Sequence, residues 1–226
     1  MAERVEPHAL PDVRDLTVGV LGGTGDQGRG LAHRWSRAGL AVVVGSRDPD
    51  RARLAAAGLG HGVVGAANLQ AAEQSDVVVV AVPWSAHAST LAPLSAALAG
   101  RVVVDCVNPL GFDKQGAYAL PVEQGSAAEQ AAAMLPQSRV VGAFHHVSAS
   151  LLLDESVATL DCDVMVVGDD RDATDVVRAL AFAVPGMRGI YAGRLRNAHQ
   201  VEALTANLIS VNRRYRAHAG VRVTDV

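Results

Sequence analysis

Short apolar runs rich in β-branched residues punctuate the chain at 17–21, 41–44, 63–64, 76–82, 101–107, 139–144 and 163–167. Several are apolar without alternation, as strands covered on both faces read. Between them lie alanine-rich stretches with helical spacing at 26–38, 49–57, 68–74, 86–98, 126–135 and 171–183. Pro49 after Asp48 suits a first helical turn behind its cap, and Gly39 suits a helix C-terminus. Strand–helix alternation predicts an α/β fold, a doubly wound and mostly parallel sheet with right-handed crossovers. The last helix differs. Val201, Leu204, Leu208, Val211 and Tyr215 recur at spacings of three and four, an amphipathic stripe, and Arg213, Arg214 and Arg216 follow at its end, where cations are favoured. Residues 108–125, with Pro109, Gly111, Gly116, Pro121 and Gly125, read as the only long loop. The expected organisation is a tail at 1–15, a sheet domain at 16–168 and a small C-terminal α/β part with the long helix at 169–226.

Composition narrows the function classes. Half of the 226 residues are hydrophobic, enough for a sizeable core. A net charge of −3 with interspersed signs argues against a nucleic-acid or anionic-membrane surface, and 4% aromatic content leaves few platforms for base stacking. The opening stretch MAERVEPHALPDVRD lacks an apolar segment, and no apolar run is long enough to span a bilayer, so a soluble cytoplasmic protein is expected. Cys106 and Cys162 lie in apolar runs and read as buried reduced thiols; two lone cysteines make neither a disulfide framework nor a zinc spacing.

The chemistry begins at Gly22-Gly23-Thr24-Gly25-Asp26-Gln27-Gly28, which contains G-x-G-x-x-G as Gly23, Gly25 and Gly28. It follows an apolar strand and opens a helix, the context of a Rossmann dinucleotide site. In that reading Gly23 permits the tight turn, Gly25 lets backbone approach a pyrophosphate, and Gly28 lets the helix pack on the strand. The helix N-terminus, with Asp26 and Gln27, then offers free amides to phosphate. Some twenty residues on, where an acid would hold a ribose hydroxyl, the chain has Ser46 and Arg47, with Arg51 one turn into the next helix. A hydroxyl and cations, with Thr24 in the glycine turn, suit a 2′-phosphate. Each charge-assisted bond is worth roughly 1.5–3 kcal/mol, so two or three give a strong preference for NADP over NAD. The plainer reading is that Arg47 and Arg51 solvate a helix start.

Two further segments follow strands. Val82, Pro83 and Trp84 stand where a nicotinamide arm should pass, though Trp84 equally suits a core or an interface; His87, in the next helix, reads as a surface residue. In GAFHHVSAS, residues 142–150, His145 reads as site-lining or as a buried hydrogen-bonded histidine. Adjacency of His145 and His146, with no carboxylate nearby, argues against a metal. The chain shows no Ser-His-Asp or Cys-His signature. Hydride transfer between two organic cofactors, which needs mainly the juxtaposition of two rings, fits such a site better than hydrolysis.

Together these pieces resemble the NADPH-dependent reductases of coenzyme F420, an 8-hydroxy-5-deazaflavin. VGVLGGTGDQGRGLA resembles that family's glycine-rich opening, VVVGSRDPDRA its Ser-Arg element, VPW with His87 the segment after its fourth strand, SAAEQAAAMLP its Ser-Ala-Ala-Glu helix and LRNAHQVEALTANLISVNRRY its C-terminal helix. The similarity runs over about residues 16 to 216. It implies a homodimer that takes small-molecule cofactors only, with NADP on Thr24, Ser46, Arg47 and Arg51. It implies a deazaflavin against the nicotinamide near Trp84, His145 and Val147, with Ala149 on the cofactor side. The chain departs from the family's His-Thr-Ile-Pro-Ala, reading His145-His146-Val147-Ser148-Ala149, so a proline beside the nicotinamide is missing. Two other readings stand beside this one. An NADP-dependent dehydrogenase of a small hydroxy acid or imine would need a longer helical second domain and a cleft acid or lysine, whereas this chain has a single lysine, Lys114. The other is a non-catalytic NADP-binding sensor.

Overall fold

The computed structural model describes residues 9–226; the first eight residues of the expected tail lie outside the described residues. In chain order the elements are β1 (Thr17–Leu21), α1 (Asp26–Arg37), β2 (Ala41–Ser46), α2 (Pro49–Leu59), β3 (Val64–Ala67), α3 (Asn68–Glu73), β4 (Val77–Val80), α4 (His87–Leu91), β5 (Val102–Asp105), β6 (Leu110–Asp113), β7 (Gly116–Ala119), α5 (Ala127–Met134), β8 (Arg139–Gly142), α6 (Ala149–Leu153), β9 (Cys162–Gly168), α7 (Arg171–Phe182), β10 (Met187–Gly193) and α8 (Ala198–Tyr215). Eight strands form one sheet in the order β10-β9-β8-β5-β4-β1-β2-β3. All pairs are parallel except β8–β9.

The central strands β4 and β5 are buried throughout, which is why their valine runs carry no alternation. On one face Trp35, Leu31, Phe144 and Leu180 form the core; on the other, Leu91, Leu98, Leu135 and Val201 do. Trp35 packs edge-on against Phe144 with centroids 5.4 Å apart and donates its indole N–H to Leu180 O at 2.9 Å. The sheet continues past residue 168, because β10 pairs with β9 and α7 packs on both.

Four stretches differ from the sequence expectation. The helix expected at 86–98 is broken into a 3-10 turn at Trp84–Ala86, the short α4, and a second 3-10 turn at Ala92–Leu94. Pro93 lacks an amide and cannot continue an α-helix. The loop at 108–125 contains a hairpin, β6–β7, turned by Asp113, whose Oδ1 accepts from Gln115 N and Gly116 N. The short α6 and the edge strand β10 carry too little periodicity to be read in advance.

A cleft at the glycine turn and the ends of the central strands

The carboxyl ends of β1, β2 and β4 open onto a cleft of about 410 Å³, lined among others by Thr24, Gly25, Ser46, Arg47, Arg51 and Val82. Gly22 has φ +75°, and a Cβ there would lie 2.5 Å from Ala81 O. The left-handed residue of the turn is therefore Gly22 and not Gly23, as the motif suggested. Gly23 instead lets the turn pack on β2, where a Cβ would meet Val44 at 2.7 Å. Gly25 faces open space, its nearest neighbour Gly22 O at 3.5 Å, while a Cβ on Gly28 would lie 2.8 Å from Gly23 Cα, so Gly28 lets the helix sit close on the turn. The N-terminus of α1 has no side-chain cap, so its first amides are left for a ligand. Asp26 is exposed and lies 3.9 Å from Arg29. Gln27 donates to Phe144 O at 3.1 Å, tying the start of α1 to the turn after β8.

At the other end of the cleft, Ser46 Oγ accepts from Asp48 N at 3.2 Å. Asp48 is the one acid there, and it caps α2, accepting from the amides of Asp50 and Arg51. Neither Arg47 nor Arg51 has a side-chain partner among the described residues, whereas the neighbouring Arg53 is taken up by Asp50. Asn68, Ala86 and Thr90 complete the lining. Asn68 Oδ1 is buried and has no hydrogen-bond partner among the described residues.

Pro83 and Val82 line the cleft; Trp84 turns away from it, half-buried against the core and tilted over the His87 ring at 5.4 Å. His87 is not at the surface. It is fully buried, with Nε2 at 2.6 Å from Asp105 Oδ2 and Nδ1 at 2.9 Å from Gln130 Oε1. Burial alone would push this imidazole down; the hydrogen bond and charge of Asp105, with Gln130, carry it above its ordinary value. Asp105 Oδ1 also accepts from Val107 N, which shapes the exit of β5.

That exit leads to Asn108, whose Nδ2 donates to His145 O at 2.8 Å; Thr205 Oγ1 of α8 donates to the same carbonyl at 3.0 Å. The turn after β8 is thus tied to β5 and α8. Phe144 sits at φ +62°, a costly conformation for a bulky residue, held by the Gln27 bond and by Trp35. His145 and His146 are buried, which pushes both down to about 4. Both ring nitrogens of His145, Nδ1 of His146 and Oδ1 of Asn108 are buried without partners among the described residues. Val147 packs its side chain into the core, and Ala149 opens α6. The carbonyl end of α6 is gripped by the buried Arg34, which donates to the carbonyls of Leu151, Leu152, Asp154 and Val157 at 2.6–2.9 Å.

The sequence reading missed Asn68, Asp105, Asn108, Arg34 and Glu202. Asn108 had a signal, an asparagine–proline step right after a buried strand. Arg34 had none, since a helical arginine five residues before Gly39, in the last turn, reads as solvated. Glu202 lies in the polar part of an amphipathic helix. It is buried, accepting from the amides of Ala127 and Ala128 at 3.0 and 3.1 Å, and burial pushes it up to about 7 against the pull of those amides. Among the described residues no group of three His, Cys, Asp or Glu is arranged to hold a metal, and no helix is long and apolar enough to cross a membrane.

Sheet order, glycine turn and cleft define the class, a Rossmann-type α/β protein. Residues 17–109 match the family described as NADP oxidoreductase, coenzyme F420-dependent. Over 93% of its length the chain is 39% identical to the F420-dependent NADP reductase of Methanothermobacter marburgensis, and 99% of that protein is covered. It is 35% identical to the protein of the same name from Methanocaldococcus jannaschii, again over 93% of this chain and 99% of the relative. A crystal structure from Arthrobacter sp. FB24 that carries the same family name superimposes with a TM-score of 0.78 at 28% identity, covering 92% of this chain and 99% of that one. The chain belongs to the F420-dependent NADP reductase family.

Proposed function

We propose that the protein binds NADP(H) in the cleft and transfers hydride, reversibly, between it and coenzyme F420. The reaction is NADPH + F420 + H⁺ to NADP⁺ + F420H2, with hydride passing from the nicotinamide C4 to the deazaflavin C5. The observation that carries the reading is the pairing of an uncapped helix N-terminus, with the Thr24 hydroxyl beside it, with two uncommitted guanidinium groups and the Ser46 hydroxyl after β2, all on one cleft. Amides at Asp26 and Gln27 would hold the pyrophosphate, with Gly25, its own amide closing the turn on Gly22 O, leaving room for its approach, and Thr24, Ser46, Arg47 and Arg51 would hold the 2′-phosphate. Gly23 and Gly28 keep that turn close enough to do so. Val82 and Pro83 would guide the nicotinamide arm toward the ends of β5 and β8.

There Asn108, His145 and His146 present buried polar atoms without partners, each costing about 1–3 kcal/mol if it stays unpaired. A carboxamide or a pyrimidinedione edge would satisfy them. His145 and His146 are neutral near pH 7, so the turn adds no charge beside the hydride acceptor. Phe144, Val147, Ala149 and Arg34 fix the turn's position.

The protein is further proposed to be a homodimer. The stripe of Val201, Leu204, Leu208, Val211 and Tyr215 starts buried but ends with Val211 and Tyr215 exposed, Tyr215 at 74%. A second copy would cover that end. Two buried, unpaired thiols, Cys106 and Cys162, support a cytoplasmic setting. The test of the reading is an absorbance assay with purified F420 and NADPH. Turnover with F420 is expected; NADPH binding without turnover would leave the sensor reading in its place.

A further inference from the structure

A second cavity, of about 590 Å³, lies between the β6–β7 hairpin and the last turns of α8. Its apolar side is Phe112, Ala117 and Ile209; its polar side is Arg213, Arg214 and Arg216. None of these three guanidinium groups has a partner among the described residues. The acid on the rim, Asp113, has its Oδ1 taken by the amides of Gln115 and Gly116, and the chain's single lysine, Lys114, stands beside it at the hairpin tip. In a protein of net charge −3, three arginines around one cavity are a local inversion of sign. A helix C-terminus favours cations within its own last turn, but that does not account for the apolar hairpin wall that faces them.

The cavity is joined to the proposed hydride site by two elements anchored on one atom. His145 O accepts from Asn108, two residues before β6, and from Thr205 on α8. One helical turn beyond Thr205, Ile209 is the first cavity residue. Arg213 is a further turn on, about 12 Å along the axis from Thr205. The five-carbon ribityl arm that separates a deazaflavin ring from its phosphate covers part of that span, and a long arginine side chain reaches back over the rest. Ile209 and Arg213 lie on another side of the helix from the Val211–Tyr215 stripe, with Arg214 between the two and Arg216 just past the helix end.

Resting on the function proposed above, we infer that this cavity is the docking site for the anionic tail of F420, its phosphodiester and γ-linked glutamates, with Arg213 and Arg214 as the main partners and Arg216 and Lys114 at the rim. The test uses F420 and its tail-less precursor, the riboflavin-like deazaflavin alcohol that carries ring and ribityl arm only. In Arg213→Glu/Arg214→Glu, KM for F420 should rise tenfold or more, about 1.4 kcal/mol for each factor of ten, while KM for the tail-less compound stays within twofold. In the unaltered protein, added salt should raise KM for F420 and leave that of the tail-less compound alone. An unchanged KM for F420, or a parallel rise for both compounds, overturns the inference. If the unaltered protein reduces neither deazaflavin, the failure is that of the hydride-transfer reading itself.

Discussion

His87 and Asp105 form a fully buried pair, Nε2 to Oδ2 at 2.6 Å, on the side of the sheet away from α1. The other ring nitrogen faces Gln130 Oε1, so both nitrogens have acceptors, the arrangement of an imidazolium. The folded-state pKa of His87 is raised, so the stability it contributes is complete below its unfolded value of 6.5 and is lost as pH rises through the folded value. Asp105→Asn should destabilise by about 3 kcal/mol, the usual size for removing one partner of a buried pair. It should also abolish the alkaline loss of stability attributable to His87. Urea midpoints against pH for both proteins check this; an unchanged alkaline limb would mean His87 is neutral and the pair an ordinary hydrogen bond.

On the acid side, from pH 7 to 4, three groups carry the largest shifts, and His33, also pushed down by burial, adds to the side of the histidines. His145 and His146, pushed down to about 4 by burial, contribute stability that is present above 6.5 and is lost as pH falls toward 4, roughly 3 kcal/mol each. Glu202, pushed up to about 7 by burial, works in the opposite direction, favouring the fold as pH falls from 7 toward 4.5 by a similar amount. The net loss should therefore be near that of one histidine. Glu202→Gln should steepen it, and His145→Gln should nearly abolish it; calorimetric Tm across that range reads both slopes.

Arg47→Glu is expected to raise KM for NADPH tenfold or more and to leave KM for NADH within twofold, because the guanidinium has no partner among the described residues and one charge-assisted contact is worth roughly 1.5–3 kcal/mol. Equal changes for the two cofactors would make Arg47 a structural residue and remove the basis for NADP preference.

Tyr215→Glu, on the exposed end of the α8 stripe, should convert a dimer to a monomer in light scattering without loss of the folded circular-dichroism signal. A dimer that survives this charge would place the interface elsewhere.

The Rossmann half of this molecule is legible in the sequence because its signals are local. A glycine turn follows β1, a serine ends β2 with two arginines after it, and buried strands read as valine runs. Thr24, Ser46, Arg47 and Arg51 share the lining of one cleft. The far half is not local. His87 looks like a surface histidine because its partners, Asp105 and Gln130, are 18 and 43 residues away. Arg34 meets its four carbonyls more than a hundred residues on. Pro93 was visible, but the alanine-rich periodicity around it outweighed it; Asp113 and Gly116, which turn the hairpin, were read as loop residues.

The central claim is direct hydride transfer between two rings that meet at the ends of β5 and β8. It is tested most directly with NADPH carrying deuterium at the transferable C4 position, mixed with F420 and the purified protein, followed by mass spectrometry and NMR of the reduced deazaflavin. The account predicts one deuterium at C5 and none in solvent, with a chelator present as well as without. Deuterium washed out to water, or a reduced F420 carrying only solvent hydrogen at C5, would contradict it.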